Sequence, residues 1–118
     1  MTEVWKPIEG YEGLYEVSNL GRIKSFHSHN GLKMRFLKGR KVKDGYLMVA
    51  LYKNKERKNF QVHQLVSKTF IPNLNGYKEV NHKNLDKTDN RVSNLEWTTR
   101  RGNVLHYFRS INKERRLA

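Results

Sequence analysis

The residues best suited to chemistry lie in the second half of the chain, where an apolar run ends at a histidine and a polar, asparagine-rich loop follows. Residues 80–97 read VNHKNLDKTDNRVSNLEW. A neutral imidazole, with an unperturbed pKa of about 6.5, accepts a proton from water near neutral pH. Amide oxygens suit a hard cation such as Mg²⁺, which keeps several waters and binds phosphate oxygens. If folding brings His82, Asn94 and Asn103 together, they suit metal-assisted hydrolysis of a phosphodiester.

Each of these side chains also has a purely structural interpretation. A single histidine such as His82 is more often a hydrogen-bonded surface or core residue than a catalyst. Asn94 is also suited to capping a turn, and Asn103, ahead of an apolar segment, to capping the N-terminus of a helix. We interpret His63 as a packing or hydrogen-bonding residue. The other histidines lack evident partners and are expected at the surface: His27, His29 and His106.

Short antiparallel strands are predicted for the N-terminal half. The segment YEGLYEVSNLGRIKSF alternates around glycine-containing turns, which favours short strands joined by tight connections. A hairpin is predicted next, with strands over residues 46–52 and 59–62 and the turn KNKERK between them. The period of two places three apolar side chains on one face, namely Leu47, Val49 and Leu51.

Two helices and a second hairpin must then position the candidate residues. The segment HQLVSKTFIP has a helical period, with Leu65, Val66, Thr69 and Phe70 on one face, and Pro72 ends it. The second hairpin is predicted from a strand ending near residue 80 and a strand over residues 94–97. A helix over residues 103–110 is expected to turn its apolar side chains inward, namely Val104, Leu105 and Phe108, and the charged tail is expected to fray.

The charge of the chain is its strongest compositional signal. Its 118 residues include 24 Lys and Arg against 11 Asp and Glu, a net charge of +13 that is concentrated in residues 21–60. Such a charge implies a polyanionic partner, with nucleic acid as the first candidate and anionic lipid as the second. A merely solubilising basic surface is the third reading. The absence of cysteine excludes disulfides and cysteine-based zinc sites, and no segment is long enough to cross a membrane.

Two segments together resemble one protein family. The stretch VHQLVSKTFIPN…VNHKNLDKTDNRVSNLEWTTRRGN is similar to the HNH homing endonucleases of bacteriophages, and WKPIEGYEGLYEVSNLGRIKSF is similar to the module that often precedes that motif. The two matches cover residues 4–108. The resemblance implies an α+β fold, in which an N-terminal antiparallel β module precedes a ββα-metal (HNH) nuclease core. We place the β module at residues 1–60, the nuclease core at 61–110 and a basic tail at 111–118.

The resemblance also implies roles for single residues. His82 matches the general base for water, and Asn94 matches the asparagine that holds the loop and orients that histidine. Asn81 and Asn103 match metal-binding positions, and the implied cofactor is a divalent cation, Mg²⁺ or alternatively Mn²⁺. The implied partner is double-stranded DNA, with no membrane involved. Phosphate contacts are expected from basic residues along the chain, namely Arg22, Lys24, Lys38, Arg40, Lys41, Lys43, Arg100 and Arg101.

Two positions depart from the family pattern. Some relatives have aspartate where this chain has Asn81, so we expect metal affinity to be weaker and more dependent on bound phosphate. Leu85 stands where relatives usually have glycine. This substitution bears on the geometry of the turn that follows His82.

We therefore interpret the chain as a metal-dependent HNH DNA endonuclease, nicking or double-strand cleaving, that acts in the cytoplasm of a phage's bacterial host. Monomer and homodimer both fit the sequence. Because no further DNA-reading module follows the nuclease helix, relaxed sequence specificity is expected. The alternative is a non-cleaving nucleic-acid-binding protein with a degenerate nuclease fold.

Overall fold

The computed structural model describes residues 2–27 and 33–117, with side chains through residue 112, so His29 lies outside the described residues. Three antiparallel sheets and two helices form an α+β arrangement, which confirms the predicted fold class. The strands are β1 Trp5–Pro7, β2 Tyr15–Ser18, β3 Ile23–Ser25, β4 Arg35–Leu37, β5 Arg40–Lys41, β6 Leu47–Lys53, β7 Glu56–Gln61, β8 Glu79–His82 and β9 Leu95–Thr98. The helices are α1 Val62–Phe70 and α2 Arg100–Leu117, and a 3-10 turn covers Val92–Asn94.

The N-terminal sheet has the order β1–β2–β3–β4, with each neighbouring pair antiparallel. Alternation along the central strands buries Tyr15, Val17 and Ile23. The turn between β2 and β3 contains Gly21 at φ +85°, a conformation that glycine adopts without steric cost. The predicted short strands around glycine turns are therefore confirmed for this segment.

The second sheet, β5–β6–β7, contains the predicted hairpin with a shorter turn. The turn is formed by Asn54 and Lys55, at φ 52° and 64°, so the six-residue turn predicted from the sequence is wrong. Two-residue turns with positive φ match the twist of the flanking strands, and strand pairing therefore continues up to the turn. Val49 and Leu51 are buried on the predicted face. Strand β5, which the sequence analysis missed, pairs with the start of β6.

Helix α1 and the hairpin β8–β9 agree with the prediction. The helix buries Leu65 and Val66 and ends at Phe70. The hairpin pairs in antiparallel register, with His82, the last residue of β8, opposite Leu95. Because hydrogen bonds between strands restrict the backbone, His82 projects from a rigid element at the start of the polar loop.

Helix α2 differs from the prediction at both ends. It begins at Arg100 and extends to Leu117, so the expected bounds of residues 103 and 110 are both wrong. The Thr99 hydroxyl accepts a hydrogen bond from the Gly102 N–H at 3.0 Å, which is the arrangement of an N-cap. Asn103 therefore lies within the first turn, and its interpretation as the N-cap is also wrong.

The orientation of α2 is set by polar contacts. Three apolar side chains expected to face inward are instead 40% to 55% exposed, namely Val104, Leu105 and Phe108. The Asn103 amide donates to the Glu79 carboxylate at 3.2 Å, and the His106 ring donates to the Lys83 carbonyl at 2.9 Å. These bonds attach the helix to β8 and its loop, so its polar side faces the protein.

One hydrophobic core joins the two halves of the chain. Val17 of β2, Leu51 of β6 and Val66 of α1 are fully buried members of a single cluster. The Tyr52 N–H also donates to the Tyr15 hydroxyl at 2.9 Å, which ties the second sheet to the first. Among the described residues, no helix has both the length and the apolar character needed to span a membrane.

The turn after β8 carries backbone strain that a single substitution should relieve. Leu85 has φ +66°, a region that costs an L-residue with a side chain roughly 1–2 kcal/mol. We expect Leu85→Gly to raise the free energy of unfolding by about 1 kcal/mol, measured by urea denaturation.

Leu74→Gly is the matched control, because Leu74 is 97% exposed and is not among the residues with positive φ. There glycine only adds freedom to the unfolded chain, and we expect a loss of up to about 1 kcal/mol. Equal losses in the two variants would contradict strain at Leu85.

Candidate active site

An open cleft of about 440 Å³ lies where the end of β8 meets the first turns of α2. Asn81 and His82 line the cleft from β8, and Asn103 lines it from α2. Asn81 and His82 are each only 5% exposed, and buried polar groups of this kind are normally hydrogen bonded. The structure thus brings three of the four expected site residues to one cleft. The fourth, Asn94, does not line it.

The His82 imidazole is held by a residue that the sequence analysis missed. Its Nε2 lies 2.8 Å from the side-chain Oδ1 of Asn90, which is 3% exposed. An amide oxygen only accepts hydrogen bonds, so Nε2 must carry the proton. In a neutral imidazole the proton on Nε2 leaves Nδ1 with a free lone pair. With the Asn90 Oδ1 facing the ring, His82 can accept a proton through Nδ1.

Two further rings pack against His82. The ring of His63 meets it edge-on with centroids 5.0 Å apart, and the ring of Tyr46 lies 5.9 Å from it. His63 is 4% exposed, and its Nδ1 has no hydrogen-bond partner among the residues that the structure describes. Of the two expected roles, packing or hydrogen bonding, its ring contacts with Tyr46 and His82 correspond to packing, and they place His63 beside the site.

Burial keeps both histidines neutral. It lowers the pKa of His63 to about 4, with a smaller contribution from His82. Burial also lowers the pKa of His82 below its usual 6.5, while the hydrogen bond to Asn90 and the carboxylates of Asp86 and Asp89 act in the opposite direction. At neutral pH His82 is therefore available as a base.

The two amides in the cleft are oriented by carboxylates. The Asn81 Nδ2 donates to Glu96 at 2.8 Å, and the Asn103 Nδ2 donates to Glu79 at 3.2 Å. Among the described residues, the Oδ1 of neither amide accepts a hydrogen bond. Fixing the nitrogen of an amide also fixes where its oxygen points. Both oxygens are thus available to a ligand that seeks neutral oxygen donors.

Asn94 organises the loop. Its Oδ1 accepts from the Asn84 N–H at 3.0 Å, and its Nδ2 donates to the Asn84 Oδ1 and the Asp89 carbonyl, both at 2.9 Å. Its carbonyl accepts from the Lys83 N–H at 2.8 Å. Asn94 therefore connects both ends of the loop, whereas the direct contact with the His82 ring comes from Asn90.

The sequence carries a signal for some of the site residues that were missed, but not for all of them. Asn81 and Glu96 are directly opposed across β8 and β9, and Glu79 lies two residues before Asn81 on the same face. A period-two reading of the predicted hairpin would have identified both carboxylates. Asn90 carries no such signal, because its position depends on a loop without regular periodicity.

The predicted DNA-contacting residues fall into several environments. Arg22 forms a bidentate pair with Glu3 at 2.8 and 2.9 Å and stacks over Phe36, so its charge is partly compensated. The Lys24 ammonium lies 4.1 Å from the Trp5 ring centroid. The six remaining predicted residues are all exposed, namely Lys38 after β4, Arg40 and Lys41 of β5, Lys43 of the following turn, and Arg100 and Arg101 on the first turn of α2.

A basic groove of about 340 Å³ lies between β4 and the second sheet. Lys38 and Arg40, both predicted, line it together with Arg35 and Arg57, which the sequence analysis did not single out. Four cations around one groove concentrate positive potential there, as a phosphate backbone requires.

Two histidines expected to lack partners have them. The Nε2 of His27 lies 3.0 Å from the carbonyl oxygen of Tyr52, and its ring packs on Tyr15. His106 donates to Lys83 in the loop after β8. Both rings fasten elements together, and neither lines the cleft.

Loss of the Asn94 side chain should loosen the loop. We expect Asn94→Ala to lower the free energy of unfolding by about 2–3 kcal/mol, because it leaves several polar groups without partners. Amide hydrogen exchange at Asn84 should quicken as well. Asn73→Ala is the control, since Asn73 also makes two side-chain bonds, to Tyr77, but those bonds are exposed to solvent. Equal effects in the two variants would contradict the role of Asn94.

Two family models match the chain: a NUMOD4 motif over residues 3–52 and an HNH endonuclease over residues 60–105. The chain is 43% identical over 103 residues to the DNA endonuclease I-HmuI of Bacillus phage SP01. This match covers 85% of this chain and 55% of that protein. It is 39% identical over 106 residues to the uncharacterised HNH endonuclease L245 of Acanthamoeba polyphaga mimivirus, covering 90% of this chain and 30% of the relative. The chain thus spans about half the length of these relatives, or less.

The fold is similar to that of a solved structure of the HNH homing endonuclease I-HmuI, a protein that binds and cleaves DNA. The TM-score is 0.76 at 37% sequence identity, over 98% of this chain and 66% of that one. The matches cover the strand, loop, strand and helix that build the cleft as well as the N-terminal sheets. The predicted resemblance is confirmed, and the chain belongs to the HNH homing endonuclease family, with a NUMOD4 motif ahead of its HNH segment.

Proposed function

We propose that the chain is a metal-dependent DNA endonuclease that hydrolyses phosphodiester bonds with a water activated by His82. The observation that carries the proposal is the composition of the cleft. A buried imidazole with an available Nδ1 shares it with two amides whose oxygens accept no hydrogen bond from the described residues. General-base attack by water on a phosphate needs such a base beside oxygen ligands for a cation. Family membership supports the same reaction.

The protein's part in the proposed reaction is the handling of one proton. The Nδ1 of His82 takes the proton from water as the new P–O bond forms and the bond to the leaving oxygen breaks. The Nε2–H stays bonded to Asn90, which stabilises the resulting imidazolium, as do Asp86 and Asp89. Burial disfavours the charged ring, so it gives the proton up readily afterwards.

A hard divalent cation, Mg²⁺ or Mn²⁺, fits the two amide oxygens of Asn81 and Asn103. When bound, such a cation offsets negative charge on the phosphate and on the leaving oxygen. Both protein ligands are neutral, and in the described ranges no three His, Asp or Glu side chains gather into a metal site. Phosphate oxygens of the substrate are therefore expected to complete the coordination, and cation affinity without DNA should be low.

The proposed partner is double-stranded DNA, and the proposed setting is the cytoplasm of a phage's bacterial host. The net charge of +13 and the basic groove between β4 and the second sheet support a polyanionic partner. The non-cleaving alternative would bind the same DNA without cutting it. A plasmid relaxation assay with Mg²⁺ or Mn²⁺ against EDTA separates the two. Nicking that requires metal supports the endonuclease, whereas tight binding without nicking supports the alternative.

The base and the ligand should respond differently to metal. We expect His82→Ala to lower cleavage by about 10²-fold or more while DNA and cation binding survive. Asn103→Ala should instead weaken cation binding, so that raising Mg²⁺ or Mn²⁺ restores part of the activity. Single-turnover cleavage over a range of metal concentrations measures both effects.

His27→Ala serves as the control, because His27 is a hydrogen-bonded histidine outside the cleft. If excess metal rescues His82→Ala as well as Asn103→Ala, His82 acts as a ligand and another group activates the water. If both variants cut as well as the parent, the reaction occurs elsewhere.

The basic segment beside the groove should contribute most to the salt dependence of binding. Each neutralised phosphate adds about −0.9 to the log–log slope of affinity against salt, because it releases condensed counterions. Removing four contacts should therefore flatten the slope by about 3–4 units. Fluorescence anisotropy over a salt series measures it for the variant with alanine at Lys38, Arg40, Lys41 and Lys43.

The control removes the same number of charges from elsewhere, with alanine at Lys6, Lys55, Lys68 and Lys78. An equal flattening in both variants would show that net charge rather than this segment determines binding.

A further inference from the structure

A turn of the N-terminal sheet reaches the loop that holds His82. The turn, residues 18–21, joins β2 to β3. The Val92 N–H donates to the Asn19 carbonyl at 2.9 Å, a bond between the two halves of the chain. Gly21 lies against Asn90 so closely that a Cβ at Gly21 would sit 2.9 Å from the Asn90 carbonyl oxygen and 3.0 Å from its carbonyl carbon and Cβ. No side chain fits there without displacing Asn90.

The turn is itself firmly held. Ser18 is fully buried, and its hydroxyl accepts from the N–H groups of Leu20 and Arg22 at 3.2 and 3.1 Å. The Gly21 N–H donates to the Ser18 carbonyl at 3.0 Å. The Asn19 side chain accepts from the Val4 N–H at 2.8 Å, which ties the turn to the start of the sheet. These hydrogen bonds restrict the turn, so it resists displacement by Asn90.

Asn90 lies between this turn and the catalytic ring. On one side its backbone and Cβ contact the position of Gly21, and on the other its Oδ1 accepts from His82 at 2.8 Å. The Asn94 Nδ2 donates a hydrogen bond at 2.9 Å to the carbonyl of Asp89, the residue before Asn90. The loop is therefore held from both sides at the residue that determines the tautomer of His82.

We propose that the 18–21 turn is a positioning element of the endonuclease reaction, acting through Asn90 on the orientation and tautomer of His82. The NUMOD4 segment would then act in catalysis as well as supplying basic surface for DNA. Gly21 and Asn90 are positioning residues, since their effect passes through another side chain. The proposal rests on the proposed function, in which His82 is the general base.

Gly21→Ala tests the contact, and Gly10→Ala is its matched control. Both glycines have nearly the same φ, +85° and +84°, so alanine introduces the same backbone strain at each. A Cβ at Gly10 would meet no atom of the described residues within 4 Å, whereas one at Gly21 would press on Asn90. We expect Gly21→Ala to slow single-turnover cleavage at saturating DNA by about tenfold or more, because small misplacements of a catalytic group are costly. DNA affinity should change little, and Gly10→Ala should retain the parent rate.

A second pair of variants tests the hydrogen bond. Asn90→Leu removes the acceptor for Nε2, whereas Asn90→Asp keeps an oxygen acceptor in its place. We expect Asn90→Leu to slow cleavage by at least about tenfold and Asn90→Asp to recover most of that loss. Thermal unfolding of all four variants shows whether each remains folded at the assay temperature.

Long-range ¹H–¹⁵N correlation spectra of the imidazoles give a readout that does not depend on cleavage. The parent and Gly10→Ala should show His82 protonated at Nε2, and Gly21→Ala and Asn90→Leu should show a mixture of tautomers. An unchanged tautomer in folded Gly21→Ala, or equal rates for Gly21→Ala and Gly10→Ala, would overturn the proposal. If the parent chain does not cleave DNA, the proposed function fails, and the spectra still decide whether the turn positions His82.

Discussion

The geometry of the cleft depends on the buried hydrogen bond between His82 and Asn90. Both residues are at least 95% buried, so a lost bond would leave polar atoms without water, at a cost of about 1–3 kcal/mol. The bond also selects which ring nitrogen carries the proton. Packing by His63 and Tyr46 restricts the ring from other directions. The same contacts that stabilise this part of the fold therefore prepare the base for its proposed role.

The chain as a whole is strongly basic, whereas the oxygen donors in the cleft, those of Asn81 and Asn103, are neutral. Glu79 and Glu96 accept hydrogen bonds from the nitrogens of the two amides, and Glu79 also lines the cleft, so negative charge lies close to the neutral oxygen donors. Neutral oxygens bind a hard cation more weakly than carboxylates do, so much of the attraction must come from DNA phosphate. Under the proposed function, the cation would be held firmly only when substrate is present, which limits cleavage to bound DNA.

The sequence predicted those features that depend on periodicity and missed those that depend on contacts between elements. Period-two alternation located the strand carrying Val49 and Leu51, and helical spacing located α1. The inward face of α2 was predicted wrongly, because hydrogen bonds from Asn103 and His106 outweigh the burial of its apolar side chains. Asn90 was missed for the same reason: its partner is specified by the folded loop and by a turn almost 70 residues earlier in the chain.

A shared hydrophobic core joins the N-terminal sheets to the HNH segment. The expected division at residue 60 falls where β7, ending at Gln61, continues directly into α1. Val17 and Leu51 pack in the same cluster as Val66, so separating the halves would expose apolar surface on each. A rigid joint of this kind is also what allows Gly21 to fix a residue of the loop. In the proposed reaction, the shared core would then keep the basic groove at a fixed position relative to His82, the base that activates the water.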